Sequence, residues 1–246
     1  MCNPPTGDYR GTMYSRYVSA FKARNGGRPD YAFSDGKLLP QLEPWVRDVP
    51  RDGICLDLGC GNGNVLHALC TLGFQHLEGV DLSAEQVAIA RAEFPQVEQM
   101  DIAGKLRSAA RNAYGLITLF DVIEHQSKAE ILEIFGLLRP CLAQRGIIIV
   151  HCPNGDSPFV GPVQHGDFTH ETILTPASAR HLCTLFEFTQ FEAKEPRNTS
   201  SSLKGAFRAL GWRGLRNLIR LCHIVETGAA GSGVVSRNFM FKAEKG

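Results

Sequence analysis

The chain has 246 residues, 43% of them hydrophobic, and a formal net charge of +1. This length and apolar content predict one substantial core, so we expect one domain with additions. The balanced charge supplies no global attraction for nucleic acid, and no stretch approaches the roughly 20 apolar residues of a membrane span. Because the N-terminal residues also contain no apolar signal core, we expect a cytoplasmic protein without a nucleic-acid partner.

The cysteines fit a reducing compartment. There are eight, and none forms a CxxC pair. The pattern predicts free, buried thiols rather than disulfides or zinc ligands. Those in apolar or motif surroundings are Cys55, Cys60, Cys70, Cys141, Cys183 and Cys222.

Residues 1–50 form a leader that is rich in aromatic side chains. Two interpretations stay open for it, a hydrophobic latch on the domain and a segment that covers a ligand site. The aromatic residues are Tyr9, Tyr14, Tyr17, Phe21, Tyr31 and Phe33.

A glycine-rich turn follows the first apolar run, which is Ile54 to Leu56. Asp57 follows that run directly, and Gly59, Gly61 and Gly63 then precede a predicted helix. Glycines permit a sharp turn and close backbone approach to a ligand, and the next helix starts with unpaired N–H groups, so a nucleotide-like cofactor is predicted. A nicotinamide site would need glycine where Asn64 stands, and no lysine closes a phosphate loop.

Strands and helices alternate downstream, which predicts a doubly wound parallel sheet with right-handed crossovers. The capping residues predict helices from Ser83 to about Phe94, from Ser127 or Lys128 to Arg139, and from Thr175 and Pro176 to about Glu187. Two loops are predicted, at 198–202 and 228–233. After the first run, the predicted strands are Leu77 to Val80, Val97 to Ile102, Leu116 to Phe120, Ile147 to Val150, Phe191 to Glu195 and Asn238 to Ala243.

Asp57, the glycine turn and Asp81 together resemble the first two motifs of class I S-adenosylmethionine (AdoMet) methyltransferases. The segment DVIEH, Asp121 to His125, is similar to that of ubiquinone-biosynthesis O-methyltransferases. The resemblance implies AdoMet as cofactor and a Rossmann-like α/β fold. That fold has a doubly wound, seven-stranded sheet, mostly parallel with an antiparallel last strand, and helices on both faces. The methyltransferase domain is expected at 51–246, with acceptor-site insertions at 151–175 and 197–235.

The resemblance also implies roles for single residues. The glycine turn would pass under the methionine part of AdoMet, Asp81 would accept both ribose hydroxyls, and Asp101 would face the adenine amino group. Tyr14 or Tyr17 would face the site from a lid, with Arg10 near the methionine carboxylate. The expected cofactor-binding residues are Asp57, Gly59, Cys60, Gly61, Gly63, Asp81, Leu82, Asp101, Ile102, Phe120, Asp121, His125, Tyr14 and Arg10.

The acceptor is expected at the loops after strands four and five, where open parallel sheets bind ligands. The stretches His151 to Phe159 and Gln164 to Glu171, with Glu226 to Gly228, look like bacterial methyltransferases of surface-polysaccharide gene clusters. This likeness implies a small-molecule acceptor, either a sugar, including a lipid-linked or nucleotide sugar, or another small metabolite.

A hydroxyl acceptor requires a base, and a histidine near its ordinary pKa of about 6.5 suits neutral pH. His170, oriented by Glu171 or Asp167, is the first candidate, with His165 and His125 in reserve. Each histidine could instead serve only in capping or hydrogen bonding. His165, Asp167, His170 and Glu171 also have a spacing that could bind a divalent ion, but we expect no metal.

The segment 203–221 is basic and amphipathic. It could lie on an anionic membrane or gather a phosphate-bearing substrate, but packing of its apolar stripe on the sheet or on a dimer partner is favoured. The oligomeric state is not predicted. The apolar residues are Leu203, Phe207, Leu210, Leu218 and Leu221, and the basic ones are Lys204, Arg208, Arg213, Arg216 and Arg220.

The sequence therefore predicts an AdoMet-dependent methyltransferase, with O-methylation of a sugar or another small metabolite favoured. The alternative is an AdoMet-binding protein without transferase activity, such as a sensor or partner subunit. Nucleic-acid N-methylation is disfavoured because DVIEH lacks the Pro-Pro-aromatic element that resembles the base-gripping motif of such enzymes.

Overall fold

The computed structural model describes residues 9–16, 19, 29–196 and 203–246. The predicted loop at 198–202 lies outside these residues, as do Tyr17 and Phe21 of the leader. The side chains of Phe33 and Leu203 are also outside the description.

The described chain alternates helices and strands as predicted. The helices are α1 (Tyr9–Tyr14), α2 (Tyr31–Val46), α3 (Asn64–Thr71), α4 (Ala84–Ala90), α5 (Ile102–Ser108), α6 (Lys128–Cys141), α7 (Gly161–Gln164), α8 (Pro176–Leu185) and α9 (Leu203–Thr227). The strands are β1 (Ile54–Leu58), β2 (His76–Asp81), β3 (Val97–Gln99), β4 (Tyr114–Phe120), β5 (Leu142–Pro153), β6 (Phe188–Lys194) and β7 (Asn238–Lys245). A single turn of 3-10 helix covers Ile123–His125.

The strands form one seven-stranded sheet in the order β3-β2-β1-β4-β5-β7-β6. The pairs among β1 to β5 are parallel, and β7 runs antiparallel to both β5 and β6. This confirms the predicted mostly parallel sheet with an antiparallel last strand. Since parallel strands end at a common edge, the carboxyl ends of β1, β2, β4 and β5 gather the polar residues that follow them.

The central strands are apolar because helices cover both faces of the sheet. Ile117 and Leu119 on β4 are fully buried. On one face, Leu42, Trp45 and Val46 of α2 pack in a cluster with residues of α3. The helix α2 is therefore part of the packed domain although it precedes the predicted boundary at residue 50, which fits the latch interpretation for this part of the leader.

Several predicted boundaries move for local reasons. The helix capped by Ser83 ends at Ala90 rather than Phe94, and turns with i to i+3 hydrogen bonds follow it. The third strand stops at Gln99 because Asp101 instead caps α5, its Oδ1 accepting from the amide of Gly104 at 2.7 Å. The strand β6 begins at Phe188, three residues earlier than predicted.

The helix α9 differs most from expectation. The favoured prediction packs its apolar stripe on the sheet or on a partner, but Phe207, Leu210, Leu218 and Leu221 are exposed. Packing on the sheet is therefore wrong, because the helix contacts the domain through its opposite side, where Trp212 lies. Among the helices of the described residues, none combines the length and apolarity needed to span a bilayer.

Candidate active site

The glycine turn lies between β1 and α3, at the carboxyl edge of the sheet. Gly59 has φ +73°, and a Cβ there would lie 2.4 Å from a methyl group of Val122, so only glycine fits. Asp81 at the end of β2 braces the turn, because its Oδ2 accepts from the amide of Gly61 at 2.9 Å and its Oδ1 from Ser83 at 2.8 Å. The backbone turn and the carboxylate are thus fixed together.

Asp57 at the end of β1 is buried, with one oxygen paired and one not. Its Oδ1 accepts from the Thr118 hydroxyl at 2.7 Å, whereas Oδ2 has no hydrogen-bond partner among the described residues. Burial raises the pKa of Asp57 to about 7, against the lowering effect of Thr118. A buried carboxylate with a vacant oxygen fits a ligand that carries a positive charge or an ammonium donor.

One large cavity, of about 1720 Å³, runs from the glycine turn to α9. A single ligand pocket typically measures roughly 300–1,000 Å³, so the cavity has room for a cofactor and an acceptor together. The predicted site residues that line it are Arg10, Tyr14, Asp57, Gly59, Cys60, Gly61, Asp81, Leu82, Asp101, Ile102, Phe120, Asp121 and His125.

Gly63, His165, Asp167 and His170 are not among the residues that line this cavity. Gly63 instead precedes α3 with φ +88°, and a Cβ there would lie 3.1 Å from the Phe94 ring. The absence of a side chain at Gly63 therefore lets the start of α3 pack closely against Phe94. His165 is exposed at the end of α7, and its side chain makes no hydrogen bond or ion pair within the described chain.

His125 ends the 3-10 turn after β4 and is held by a chain of hydrogen bonds. The Thr169 hydroxyl donates to Asp167 Oδ1 at 2.6 Å and lies 2.8 Å from His125 Nδ1. Since that hydroxyl has only one proton, Nδ1 must be the donor to it, which leaves Nε2 with a free lone pair. Burial lowers the pKa of His125, and the charge of His170 adds to the lowering, so the ring is neutral at pH 7.

His170 packs against His125, with ring centroids 4.7 Å apart, and its buried Nδ1 has no partner in the described part of the chain. The predicted orientation of His170 by Glu171 or Asp167 is not found. Glu171 is held by Arg10 and Tyr9, and Asp167 is held by Thr169. Other donors thus occupy both carboxylates.

Arg10 of α1, predicted near the methionine carboxylate, lines the cavity and is also paired with acidic side chains. Its guanidinium binds Glu130 and Glu171, both at 2.6 Å. The hydrogen bond from Arg10 lowers the pKa of Glu130 to about 2. Tyr14 on the same helix places its ring 6.3 Å from that of His125. These contacts tie α1 to the loop that holds Thr169, which is where a lid over the acceptor would lie.

A different set of residues than predicted could hold a metal ion. Among the described residues, Glu124, His125 and His170 each offer one ligand atom, all within 4.8 Å of one another. Only His170 belongs to the predicted set. Burial raises the pKa of Glu124 well above its ordinary value, and the charge of Asp121 adds to the rise. Glu124 was missed, although its place beside His125 in DVIEH was a usable signal.

The sequence also left the pairing of His151 with Asp121 unpredicted. His151 Nδ1 lies 2.7 Å from Asp121 Oδ1, and its ring stacks on Phe120. Asp121 has φ +54°, a strained conformation for a residue other than glycine, which is typical of functional sites. Both residues line the cavity. The signal was positional, since the two residues lie near the carboxyl ends of the neighbouring parallel strands β4 and β5.

The strand order, the braced glycine turn and the carboxylates at successive strand ends define the class I methyltransferase arrangement. A protein-family profile described as a methyltransferase domain matches residues 31–215. The chain therefore belongs to the methyltransferase-domain family. This membership and the form of the cavity support S-adenosyl-L-methionine as the cofactor.

Solved structures with the same fold are numerous. An AdoMet-dependent methyltransferase from Archaeoglobus fulgidus matches with 17% identity and a TM-score of 0.67, covering 92% of this chain and 99% of its own. Magnesium protoporphyrin IX methyltransferase from Synechocystis, with bound AdoMet, matches with 15% identity and a TM-score of 0.58, and the match covers 99% of this chain and 100% of that one.

Phosphoethanolamine N-methyltransferase 2 from Haemonchus contortus, in complex with AdoMet, matches with 14% identity and a TM-score of 0.61. The match covers 98% of this chain and 61% of that protein. A search of curated protein sequences finds no match. At these identities the likeness establishes the fold. The resemblance to the ubiquinone-biosynthesis and surface-polysaccharide groups stays a prediction.

Proposed function

We propose that this methyltransferase acts on a hydroxyl group of a sugar, including a lipid-linked or nucleotide sugar, or of another small metabolite. The observation that carries the proposal is the neutral imidazole of His125, a residue that lines a cavity large enough for two ligands and whose Nδ1 is engaged by Thr169. An alcohol becomes a competent nucleophile when such a base takes its proton, a contribution of about 10² to 10⁴ fold.

At the cofactor end, the residues that line the cavity would each take a part of AdoMet. Asp81 would accept the ribose hydroxyls, Asp101 and Ile102 would lie at the adenine, and the turn of Gly59 and Gly61 would underlie the methionine part. Asp57 Oδ2 would face the positive charge of AdoMet. When bound, AdoMet supplies an electrophilic methyl group with a good leaving group, so the protein has mainly to align the acceptor.

At the acceptor end, His125 replaces His170 as the proposed base. His125 lines the cavity and has its tautomer set by Thr169 and Asp167, whereas His170 lies behind it. Asp167 would stabilise the imidazolium through Thr169 once the proton has moved to Nε2. His170 would limit the basicity of His125 by its own charge when protonated.

The test is formation of S-adenosylhomocysteine by the purified protein with AdoMet and a panel of sugars, nucleotide sugars and small hydroxylated metabolites, with the methylated product identified by mass spectrometry. We expect turnover with at least one hydroxyl acceptor. Calorimetric binding of AdoMet without turnover on any member of the panel would favour the alternative, an AdoMet-binding sensor or partner subunit. Methylation confined to amines or carbon would contradict the hydroxyl acceptor.

A further inference from the structure

The helix α9 presents two different faces. Its inner face contacts the domain, since the indole of Trp212 donates to Glu195 at 2.9 Å and Arg216 lies 3.8 Å from the same carboxylate. The outer face carries an apolar stripe at three- and four-residue spacing whose members are between 54% and 79% exposed. The members are Phe207, Leu210, Leu218, Leu221 and Val225.

Exposed cations border this stripe on both sides. At 3.6 residues per turn, Lys204 and Arg208 fall on one edge of the stripe, and Arg213 and Arg220 fall on the other. The whole helix contains one acidic residue, Glu226. An apolar strip between two basic edges, with the protein on the reverse side, is the arrangement of helices that lie in a membrane interface.

The charge distribution decides between a bilayer and a second copy of the chain. Helices that pair through an apolar stripe usually place opposite charges along its edges. Two copies of α9 would bring mostly like charges together, because Glu226 is the single acid available to four bordering cations. Anionic lipid headgroups complement the same edges, and long basic side chains can extend to them while the stripe is buried.

One flank of the same helix, beside the stripe, borders the active-site cavity. Arg208, Trp212 and Leu215 line it, together with Phe159, whose ring lies 6.1 Å from the indole. We propose that α9 docks the protein on an anionic lipid bilayer and thereby sets the acceptor end of the cavity against the membrane surface. The part that concerns the acceptor rests on the proposed function, and an acceptor tethered to lipid would reach the cavity along this helix.

Flotation of the full-length protein with vesicles tests the docking. We expect binding to vesicles of phosphatidylglycerol mixed with phosphatidylcholine, little binding to phosphatidylcholine alone, and weakening by salt. Leu218→Asp with Leu221→Asp should lower the bound fraction by at least about tenfold, because the charge prevents burial of the stripe. Leu185→Asp is the matched control, a leucine on α8 that is at least as exposed as these two, and should bind as the wild type does.

Calorimetry with AdoMet on the same variants separates the two proposals. Cofactor binding should be unchanged in the double variant, since both leucines point away from the domain. Absence of wild-type binding to anionic vesicles at low salt would overturn the docking and leave the transferase proposal intact. A dimer in sedimentation that the double variant dissociates would also overturn it, because the face would then be an interface between copies. Vesicle binding without AdoMet binding would instead contradict the proposed function alone.

Discussion

The cofactor half and the acceptor half of the cavity are built by different means. At the cofactor half, the backbone of the glycine turn and the carboxylate of Asp81 hold each other through hydrogen bonds between residues at most 20 positions apart. At the acceptor half, side chains from distant segments meet, as when Arg10 binds Glu171 and Thr169 binds His125. The first kind of site is encoded locally, whereas the second depends on how separate loops come together.

The largest effect should follow from loss of the base in the acceptor half. His125→Ala should lower kcat by about 10² to 10⁴ fold and leave the Kd for AdoMet near the wild-type value, because the proton is taken only during transfer. His170→Ala and His165→Ala should do less. Because the pKa of His125 is lowered and only the neutral ring accepts a proton, the wild-type rate should rise with pH below about 6.5 and then level.

Rapid-quench kinetics on an identified acceptor would check that chemistry limits the rate in this comparison. Thr169→Val is an informative second variant, since it keeps the size of the side chain but breaks the link from His125 to Asp167. We expect an intermediate loss of kcat. If His151→Ala proved the more damaging change, the base would be His151 with Asp121, and the proposed role of His125 would be wrong.

A change in the cofactor half should instead weaken AdoMet binding and leave kcat nearly unchanged. Asp81→Asn should weaken AdoMet binding by about 1.5 to 3 kcal/mol, because a charged hydrogen-bond acceptor is lost, while kcat at saturating AdoMet changes little. Asparagine keeps the shape of the side chain, so the brace on Gly61 is disturbed less than by alanine. Titration calorimetry, with circular dichroism as the control for folding, is the measurement. Wild-type affinity in a folded variant would remove Asp81 from the site.

A smaller effect, on stability rather than on catalysis, is expected from Asp57, which is buried in the cofactor half. The pKa of Asp57 is raised to about 7, so its folded form holds a proton that the unfolded form releases near pH 4. The free protein should therefore lose stability relative to Asp57→Asn as the pH rises from about 4 to 7, by on the order of a few kcal/mol. Urea unfolding of both proteins across this range measures the difference. Parallel pH profiles would show that Asp57 keeps its ordinary pKa.

Predictability from sequence follows the same division. Ser83 and Ser127 cap helices where their residue types and spacing predicted, because capping is a local property of the backbone. Closeness in sequence predicts that Glu171 orients the ring of His170. In the structure Glu171 instead binds Arg10, which lies 161 residues away. Nothing local in the sequence specifies such a partner. The exposed stripe of α9 escaped prediction for a related reason, since amphipathicity alone does not specify which face the domain covers.

The smallest expected effect is that of chelation, and it is the sharpest test of what the acceptor half does. If His125 takes the proton, exhaustive treatment with a chelator should change the rate by less than about twofold, because the displacement itself requires no cation. Metal analysis of the active protein should then find less than one equivalent. Activity that disappears with the chelator and returns with magnesium or manganese would make Glu124, His125 and His170 ligands.

Glu124→Gln separates the base mechanism from the metal mechanism. With a base mechanism it should leave the rate nearly unchanged, since Glu124 is not among the cavity-lining residues of the described chain, whereas with a metal mechanism it should remove a ligand and the activity together.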